Sequence, residues 1–155
     1  MTMKKFLISV VVIFMFGGIV RGGGLKSNFG VLFLENLRVG KTYSILNLAS
    51  EPLRVVNTTD STLELQIEIG YPSPSDLKRG YEVIPSTSWI RLEKNLFRLE
   101  PGQTAVADFH ISIPNDDRYI DGRYQFFVWS HVLRRLGGRG GTHILPAVKG
   151  FICFT

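Results

Sequence analysis

Apolar and polar residues alternate with a period of two along most of the chain after about residue 29. In residues 62–69 the alternation is strict, and the apolar positions are Leu63, Leu65, Ile67 and Ile69. Such a period places every second side chain on the same face of an extended strand. The pattern therefore predicts a β-strand with one buried face and one solvated face.

The same alternation recurs in residues 104–113, where Phe109 and Ile111 fall on the inward face and His110 falls between them on the outward face. Pro114 ends this stretch, because proline has no N–H to donate to a neighbouring strand. Further short strands are predicted at residues 31–34, 42–46, 53–57, 89–92, 123–131 and 143–154. This succession predicts an all-β fold, an immunoglobulin-like antiparallel β-sandwich of about 7–9 strands.

One predicted strand differs from the others because it is apolar on both faces. Residues 124–129 read Tyr-Gln-Phe-Phe-Val-Trp, so we expect this strand to lie centrally, with one face in the core and the other face covered. The proline-containing connection formed by residues 71–88 predicts an irregular crossover between two sheets.

The N-terminus has the order of a secretory signal, with basic residues followed by an apolar run and then by small, glycine-rich residues. Counted from Phe6 to Val20, the run has 15 residues, fewer than the roughly 20 that a helix needs to cross a bilayer. We therefore predict a signal peptide over residues 1–22 and a sandwich domain over residues 29–155. The protein is then exported, periplasmic or extracellular, and meets the membrane only through the signal segment before cleavage.

Charge and cysteine content argue against several classes of function. The net charge is +5, but loss of Lys4, Lys5 and Arg21 with the signal leaves 15 basic against 13 acidic side chains. So small an excess does not favour nucleic acid as a partner, and export counts against it. Cys153 is the only cysteine, so an internal disulfide is excluded.

A set of turn and strand markers follows a fixed order along the chain. They are residues 55–60 (Val-Val-Asn-Thr-Thr-Asp), 89–90 (Trp-Ile), 97–104 (Phe-Arg-Leu-Glu-Pro-Gly-Gln-Thr), 113–117 (Ile-Pro-Asn-Asp-Asp) and 121–124 (Asp-Gly-Arg-Tyr). This layout resembles secreted bacterial immunoglobulin-like modules, such as those appended to glycosidases and those of the Gram-positive WxL cell-wall system. More distantly it resembles the PapD-like and major-sperm-protein sandwiches. The resemblance implies a β-sandwich with a non-catalytic scaffolding or binding role.

Two of these markers have a direct physical interpretation. Pro101 and Gly102 combine a fixed φ with a permissive φ, as a tight β-turn requires. Tyr124 follows Asp121 and Gly122 at the start of a predicted strand, which fits a tyrosine corner, in which the hydroxyl bonds to backbone at the edge of the sandwich. We therefore expect a structural role for Tyr124.

Residues that could carry chemistry do not form a recognisable motif. Residues 39–42 (Val-Gly-Lys-Thr) lack the glycine that a phosphate-binding loop needs five residues earlier. His110, His131 and His143 are far apart and lack metal-ligand spacing, and the polar residues from Asn115 to Asp121 lack the spacing of an EF-hand. We expect a protein that is not an enzyme and has no metal or cofactor, although calcium at residues 115–121 stays an open alternative.

The candidate contact segment is basic and rich in glycine. Arg134, Arg135 and Arg139 occur with four glycines and no acid in residues 134–141, which predicts a mobile loop suited to carboxylate or phosphate groups, or a solvated loop without a partner. The leading hypothesis is an exported, non-catalytic interaction or scaffolding module of the bacterial envelope or secretome, whose partner is an envelope protein or an anionic cell-wall polymer. The alternative is a small periplasmic PapD-like chaperone, or a pilus-related factor that lends or accepts a strand.

Overall fold

Short β-strands make up most of the regular structure in the computed structural model, which describes residues 20–22, 24–136 and 145–154. The strands are β1 (Val20–Gly22), β2 (Leu25–Ser27), β3 (Val31–Leu34), β4 (Thr42–Ser44), β5 (Leu53–Asn57), β6 (Thr62–Gly70), β7 (Glu82–Val83), β8 (Ile90–Leu92), β9 (Leu96–Leu99), β10 (Thr104–Ala107), β11 (Phe109–Ser112), β12 (Tyr124–Leu136) and β13 (Ala147–Phe154). One short α-helix, α1 (Ile45–Ala49), follows β4, and single 3-10 turns lie at Pro74–Asp76, Thr87–Trp89 and Asp117–Tyr119.

The strands form a large sheet and an opposing layer. The large sheet has the order β3-β13-β12-β6-β9, and β7 pairs with β12 off this path. The opposing layer consists of two smaller sheets, β1-β2-β5-β10 and β4-β11-β8. These two sheets meet at Asp108, the residue between β10 and β11. The all-β sandwich prediction is therefore confirmed.

The chain changes sheet at both sides of the sandwich. At one side, β2 pairs with β5, and the next strand, β3, pairs with β13 of the large sheet. At the other side, β8 pairs with β11, and the next strand, β9, pairs with β6. Two pairings are parallel, β3 with β13 and β7 with β12, so the sheets are not purely antiparallel.

The inward faces of both layers form one apolar core. Phe109 and Ile111 are fully buried, whereas His110 between them is only partly buried, which confirms the predicted register of this strand. The Phe109 ring meets the Phe126 ring of the large sheet edge to face, with centroids 6.0 Å apart. This contact joins the layers through the geometry that aromatic rings prefer.

A buried amide connects three strands near the turn after β5. Asn57, which is fully buried, donates through Nδ2 to the carbonyl oxygens of Ser61 at 2.7 Å and Leu99 at 3.0 Å. Its Oδ1 accepts from the backbone N–H and the hydroxyl of Thr59. These bonds satisfy a polar group that would otherwise be costly to bury, and they hold the end of β9 against β5 and β6.

Several predicted boundaries are wrong, for identifiable reasons. The strand predicted at residues 42–46 ends at Ser44, because the Ser44 hydroxyl caps α1 by accepting from Asn47 N–H. The strand predicted at residues 123–131 continues to Leu136. Before the predicted start of the domain at residue 29, Leu25 of β2 is buried in the core.

The predicted signal segment lies outside the described residues except for residues 20–22, which form β1 and pair with β2. In the described part of the chain, no helix is long and apolar enough to span a membrane.

Candidate binding site at the free edge of the large sheet

Strand β9 ends the large sheet and has one strand partner within the described residues, β6. Asn95 and Ile67 are directly opposite, and Ile67 N–H donates to Asn95 C=O at 2.8 Å. Because bonded and non-bonded pairs alternate along an antiparallel ladder, Phe97 and Leu99 direct their backbone groups to β6. The N–H and C=O groups of Leu96 and Arg98 therefore point to the free edge.

An apolar groove lies beside this edge. Leu96 is 53% exposed and Leu133 of β12 is 45% exposed. They line a cavity of about 330 Å³ whose remaining walls are Glu64, Leu65, Phe97 and Arg98. Natural edge strands usually carry charged residues, prolines or covering elements that prevent pairing with another chain. Strand β9 carries the charged Arg98, but the exposed Leu96 on this strand and Leu133 two strands further in leave an apolar surface beside the edge.

A β-bulge in β12 places Leu133 and Arg134 together on the outer surface. The pairing register of β12 against β6 shifts between Val132 and Arg134. Val132 is buried in the core, so Leu133 faces outward by ordinary alternation. The extra residue lets Arg134 face outward as well and reach Glu64. Bulges often redirect a side chain in this way next to functional sites.

Some of the charged side chains around the groove are paired with an opposite charge and others are not. Arg134 donates from Nε and Nη2 to both carboxylate oxygens of Glu64, at 2.9 and 2.8 Å. This hydrogen-bonded pair lowers the pKa of Glu64 and raises the pKa of Arg134. Arg98, opposite Glu64 in the ladder, makes no hydrogen bond or ion pair within the described residues. Lys94 lies 4.8 Å from the centre of the Phe97 ring. The groove therefore presents a positive border.

The structure changes the prediction of a basic loop at residues 134–141, because the first part of this segment lies in a strand. Arg134 and Arg135 belong to β12, and Arg135 forms an ion pair with Asp60 at 3.0 Å. The sequence contains no acid in residues 134–141, but strand pairing brings Glu64 and Asp60 from elsewhere in the chain. Arg139, together with the glycines around it, lies outside the described residues, so the predicted contact of this residue stays a prediction.

Tyr124 lies in an aromatic cluster at one end of the sandwich. Its ring meets those of Trp89, Tyr119 and Phe154, with centroids 5.5, 6.3 and 5.8 Å away. Burial raises the pKa of the Tyr124 hydroxyl. That hydroxyl makes no hydrogen bond within the described residues, so the side chain contributes packing here, without the backbone bond of a tyrosine corner.

The loop considered for calcium is occupied by an internal pair. Asp116 accepts from the Arg118 side chain at 2.8–3.1 Å and from its backbone N–H at 2.9 Å. This pairing with Arg118 lowers the pKa of Asp116. Among the described residues, the group of three acidic or histidine side chains with converging ligand atoms lies elsewhere, at Glu93, Asp108 and His110.

The outer face of β12 is less covered than its sequence predicts. β12 is central, as expected, but Trp129 on its outer face is 37% exposed. The Trp129 ring stacks on His131 at 3.8 Å, and His131 Nε2 lies 2.7 Å from Glu68 Oε2. The apolar pattern on both faces thus correctly predicts that the strand is central in the sheet, but the covering of its outer face that the pattern also predicts is incomplete.

The edge strand β9 is not among the strands predicted from the sequence. Residues 97–104 were recognised only as a marker around the Pro101-Gly102 turn, which the structure confirms through the bond from Gln103 N–H to Glu100 C=O and a φ of 79° at Gly102. The signal that could have found β9 is the alternation of Phe97 and Leu99 with Arg98 just before this turn.

The comparisons with known proteins concern the fold. No protein-family model matches the chain, and no curated protein matches it either. Among solved structures, the chain is similar to an ASH/PapD-like domain of human CEP192, PapD-like domain 7, with a TM-score of 0.54 and 11% identity over 95% of this chain and 93% of that one. The fold is PapD-like.

Two further solved structures are similar to the chain in fold. The periplasmic chaperone SfaE aligns with a TM-score of 0.54 and 13% identity over 84% of this chain and 57% of its own. A proposed carbohydrate binding protein from Bacteroides ovatus aligns with a TM-score of 0.54 and 12% identity over 85% of this chain and 36% of its own. The chain thus spans about half or less of these two proteins. The finer relation to glycosidase-appended or WxL modules is not confirmed.

Proposed function

We propose that this chain is an exported, non-catalytic PapD-like module that binds an extended segment of a partner protein along the free edge of β9. The observation that carries the proposal is the pair of exposed leucines, Leu96 and Leu133, beside unpaired backbone groups of an edge strand. An incoming strand would bond to the N–H and C=O groups of Leu96 and Arg98 and place an apolar side chain in the groove. Strand addition of this kind takes affinity from the backbone and specificity from alternate side chains.

The charges favour a particular partner. Glu64 is already bound by Arg134, whereas Arg98 and Lys94 keep their positive charges at the border of the groove. A segment that alternates apolar and acidic residues is complementary to this border. This proposal unites the two hypotheses from the sequence, because an interaction module and a strand-accepting factor would both use such an edge.

An anionic polymer held by the basic segment receives less support. Arg134 and Arg135 are engaged with Glu64 and Asp60, so binding phosphate or carboxylate groups there would require breaking existing pairs.

The test is a matched pair of variants at Arg98. Extended peptides of alternating apolar and acidic residues are selected from a displayed library on the protein, and their affinities are measured by fluorescence anisotropy. Arg98→Pro removes the N–H that points to the free edge and leaves the β6 ladder intact, whereas Arg98→Ala removes only the side chain. We expect Arg98→Pro to weaken binding about 10-fold or more, as loss of backbone bonds along the added strand implies. Arg98→Ala should weaken binding much less, because it removes one charge at the border of the groove and leaves the backbone bonds in place.

Equal losses in the two variants would show that the peptide binds to the side chain and not to the strand edge. If Leu96→Lys does not lower the affinity of any selected peptide, the proposal is likewise contradicted. Thermal unfolding of each variant checks that the sandwich is intact.

A further inference from the structure

Glu93, Asp108 and His110 bring three potential metal ligands to one point on the opposing layer. His110 lies on the outward face of β11, Asp108 immediately precedes that strand, and Glu93 follows β8. The backbone fixes this proximity, since Glu93 N–H donates to the Asp108 carbonyl at 3.3 Å and β8 pairs with β11. The spacing of these residues in the sequence does not indicate the group, because Glu93 follows a different strand, far from Asp108 and His110 along the chain.

The ligand atoms are spaced as a metal ion requires. His110 Nε2 lies 2.9 Å from Glu93 Oε1 and 3.7 Å from Asp108 Oδ2, and all three ligand atoms lie within 4.8 Å of one another. In a tetrahedral zinc site with bonds of about 2.0–2.1 Å, neighbouring ligand atoms are about 3.3 Å apart. Small side-chain movements would therefore bring the three atoms to such a geometry.

The carboxylate of Asp108 is held in place from outside this group. Its Oδ2 accepts from the Ser44 hydroxyl at 2.6 Å, and its Oδ1 accepts from the Leu46 N–H at 3.0 Å. The Asp108 side chain is only 14% exposed. Hydrogen bonds from neighbouring groups orient metal ligands in this manner and restrict the freedom that binding would otherwise remove.

Charge also favours a cation at this point. Two carboxylates meet one imidazole, and neither acid forms an ion pair with lysine or arginine within the described residues. Arg91 is opposite His110 in the β8–β11 ladder, but it is exposed and makes no ion pair there. The hydrogen bonds from Ser44 and Leu46 offset part of the cost of burying the Asp108 carboxylate, and a bound cation would offset more of it.

We propose that Glu93, Asp108 and His110 bind a divalent transition-metal ion, with Zn²⁺ as the ion that suits one imidazole and two carboxylates. Three protein ligands leave a fourth position for water or for a ligand from a partner. The site lies at the start of the connection from β8 to β9, so a bound ion would fix the crossover that leads to the edge strand. The proposal is independent of peptide binding and stands on different residues.

The experiment titrates Zn²⁺ into the purified full chain, produced without a histidine tag, by isothermal titration calorimetry and follows the melting temperature in parallel. We expect saturable one-to-one binding and a melting temperature that rises with Zn²⁺, because an ion that binds only the folded state stabilises it. Glu93→Gln and His110→Gln should each weaken binding about 10-fold or more, since even the loss of a supporting partner has an effect of that order.

The matched control is the second histidine–carboxylate pair, formed by His131 and Glu68. Glu68→Gln removes a carboxylate 2.7 Å from His131, just as Glu93→Gln removes one from His110, but no third ligand meets that pair in the described part of the chain. Zn²⁺ affinity should be unchanged by Glu68→Gln. The absence of saturable binding, equal losses in Glu93→Gln and Glu68→Gln, or a preference for Ca²⁺ or Mg²⁺ over Zn²⁺ would each overturn the assignment.

Discussion

Strands β9 and β11 have the same length and very different surroundings. Each has four residues, and two apolar side chains of each lie on the inward face, Phe97 and Leu99 in β9 and Phe109 and Ile111 in β11. Strand β11 lies between β4 and β8, and its inward residues Phe109 and Ile111 are fully buried. In the described part of the chain, strand β9 pairs with β6 alone, and its outward residue Leu96 is more than half exposed.

The difference shows that alternation identifies the inward face of a strand but not its number of partners. Side-chain burial follows from the pleat, because every second residue faces the opposing layer. Whether the backbone groups of a strand are all hydrogen-bonded depends on the position of the strand in the sheet. An edge strand has one row of N–H and C=O groups that can pair with another chain. Four predictions test this contrast, in order of decreasing effect.

The largest effect is expected in the core of the interior strand. Phe109→Ala should lower the free energy of unfolding by about 3–5 kcal/mol, because it leaves a cavity between the two layers. The equivalent change in the edge strand, Phe97→Ala, should cost about 1–2 kcal/mol, because Phe97 is only partly buried. Urea unfolding of both variants measures the difference, and equal costs would mean that the two strands are equally buried.

The next effect concerns the connection between the edge strand and the interior. Asn57→Ala should destabilise the protein by about 2–3 kcal/mol, since the carbonyls of Ser61 and Leu99 lose their donor in a buried position. Hydrogen exchange should accelerate first at Leu99, next to the lost bond. If exchange in β11 rose as much as exchange in β9, Asn57 would be supporting the whole sandwich and not the edge in particular.

A smaller effect on stability is expected at the exposed position of β9. Leu96→Lys should change the free energy of unfolding by less than about 0.5 kcal/mol, because surface substitutions without lost contacts are usually mild. The same variant should lose the peptides selected on the wild-type groove. A cost comparable to that of Phe97→Ala would contradict an open edge.

The smallest effect concerns the ion pair on the outer surface beside β9. In the folded protein the pKa of Glu64 is lowered below its ordinary value of 4.5 by the Arg134 side chain. The pair therefore stabilises the fold at pH values above about 4.5, and this contribution is lost as the pH falls through the folded pKa. Glu64→Gln should be slightly less stable than wild type at neutral pH and equal to it in strong acid. A difference that persists in acid would assign the effect to packing.

The local pattern predicted much of the fold. The strands at residues 31–34 and 53–57 match β3 and β5, and the alternation of residues 62–69 gave β6 with its buried face. The inward assignments of Phe109 and Ile111 and the central position of β12 were also predicted. In each case the information lies within a few neighbouring residues, because the pleat alone determines which side chains share a face.

Interactions between distant segments account for what the pattern missed. The glycines of residues 134–141 predict a loop, and the absence of an acid among them predicts a positive field. Instead, the β6–β12 pairing extends to Leu136, and Glu64 and Asp60 meet Arg134 and Arg135. The edge strand β9 was overlooked because four residues before a turn carry little local signal.

The sequence by itself determined that the protein is a β-sandwich, which faces of its main strands are buried, and where Pro101 and Gly102 turn the chain. Only the tertiary structure decided which strand lies at the edge, which arginines form ion pairs with carboxylates, and that His110 meets Glu93 and Asp108. The reason is physical: strand faces depend on contacts between adjacent residues, whereas edges, ion pairs and ligand clusters depend on which segments pair across the sheets.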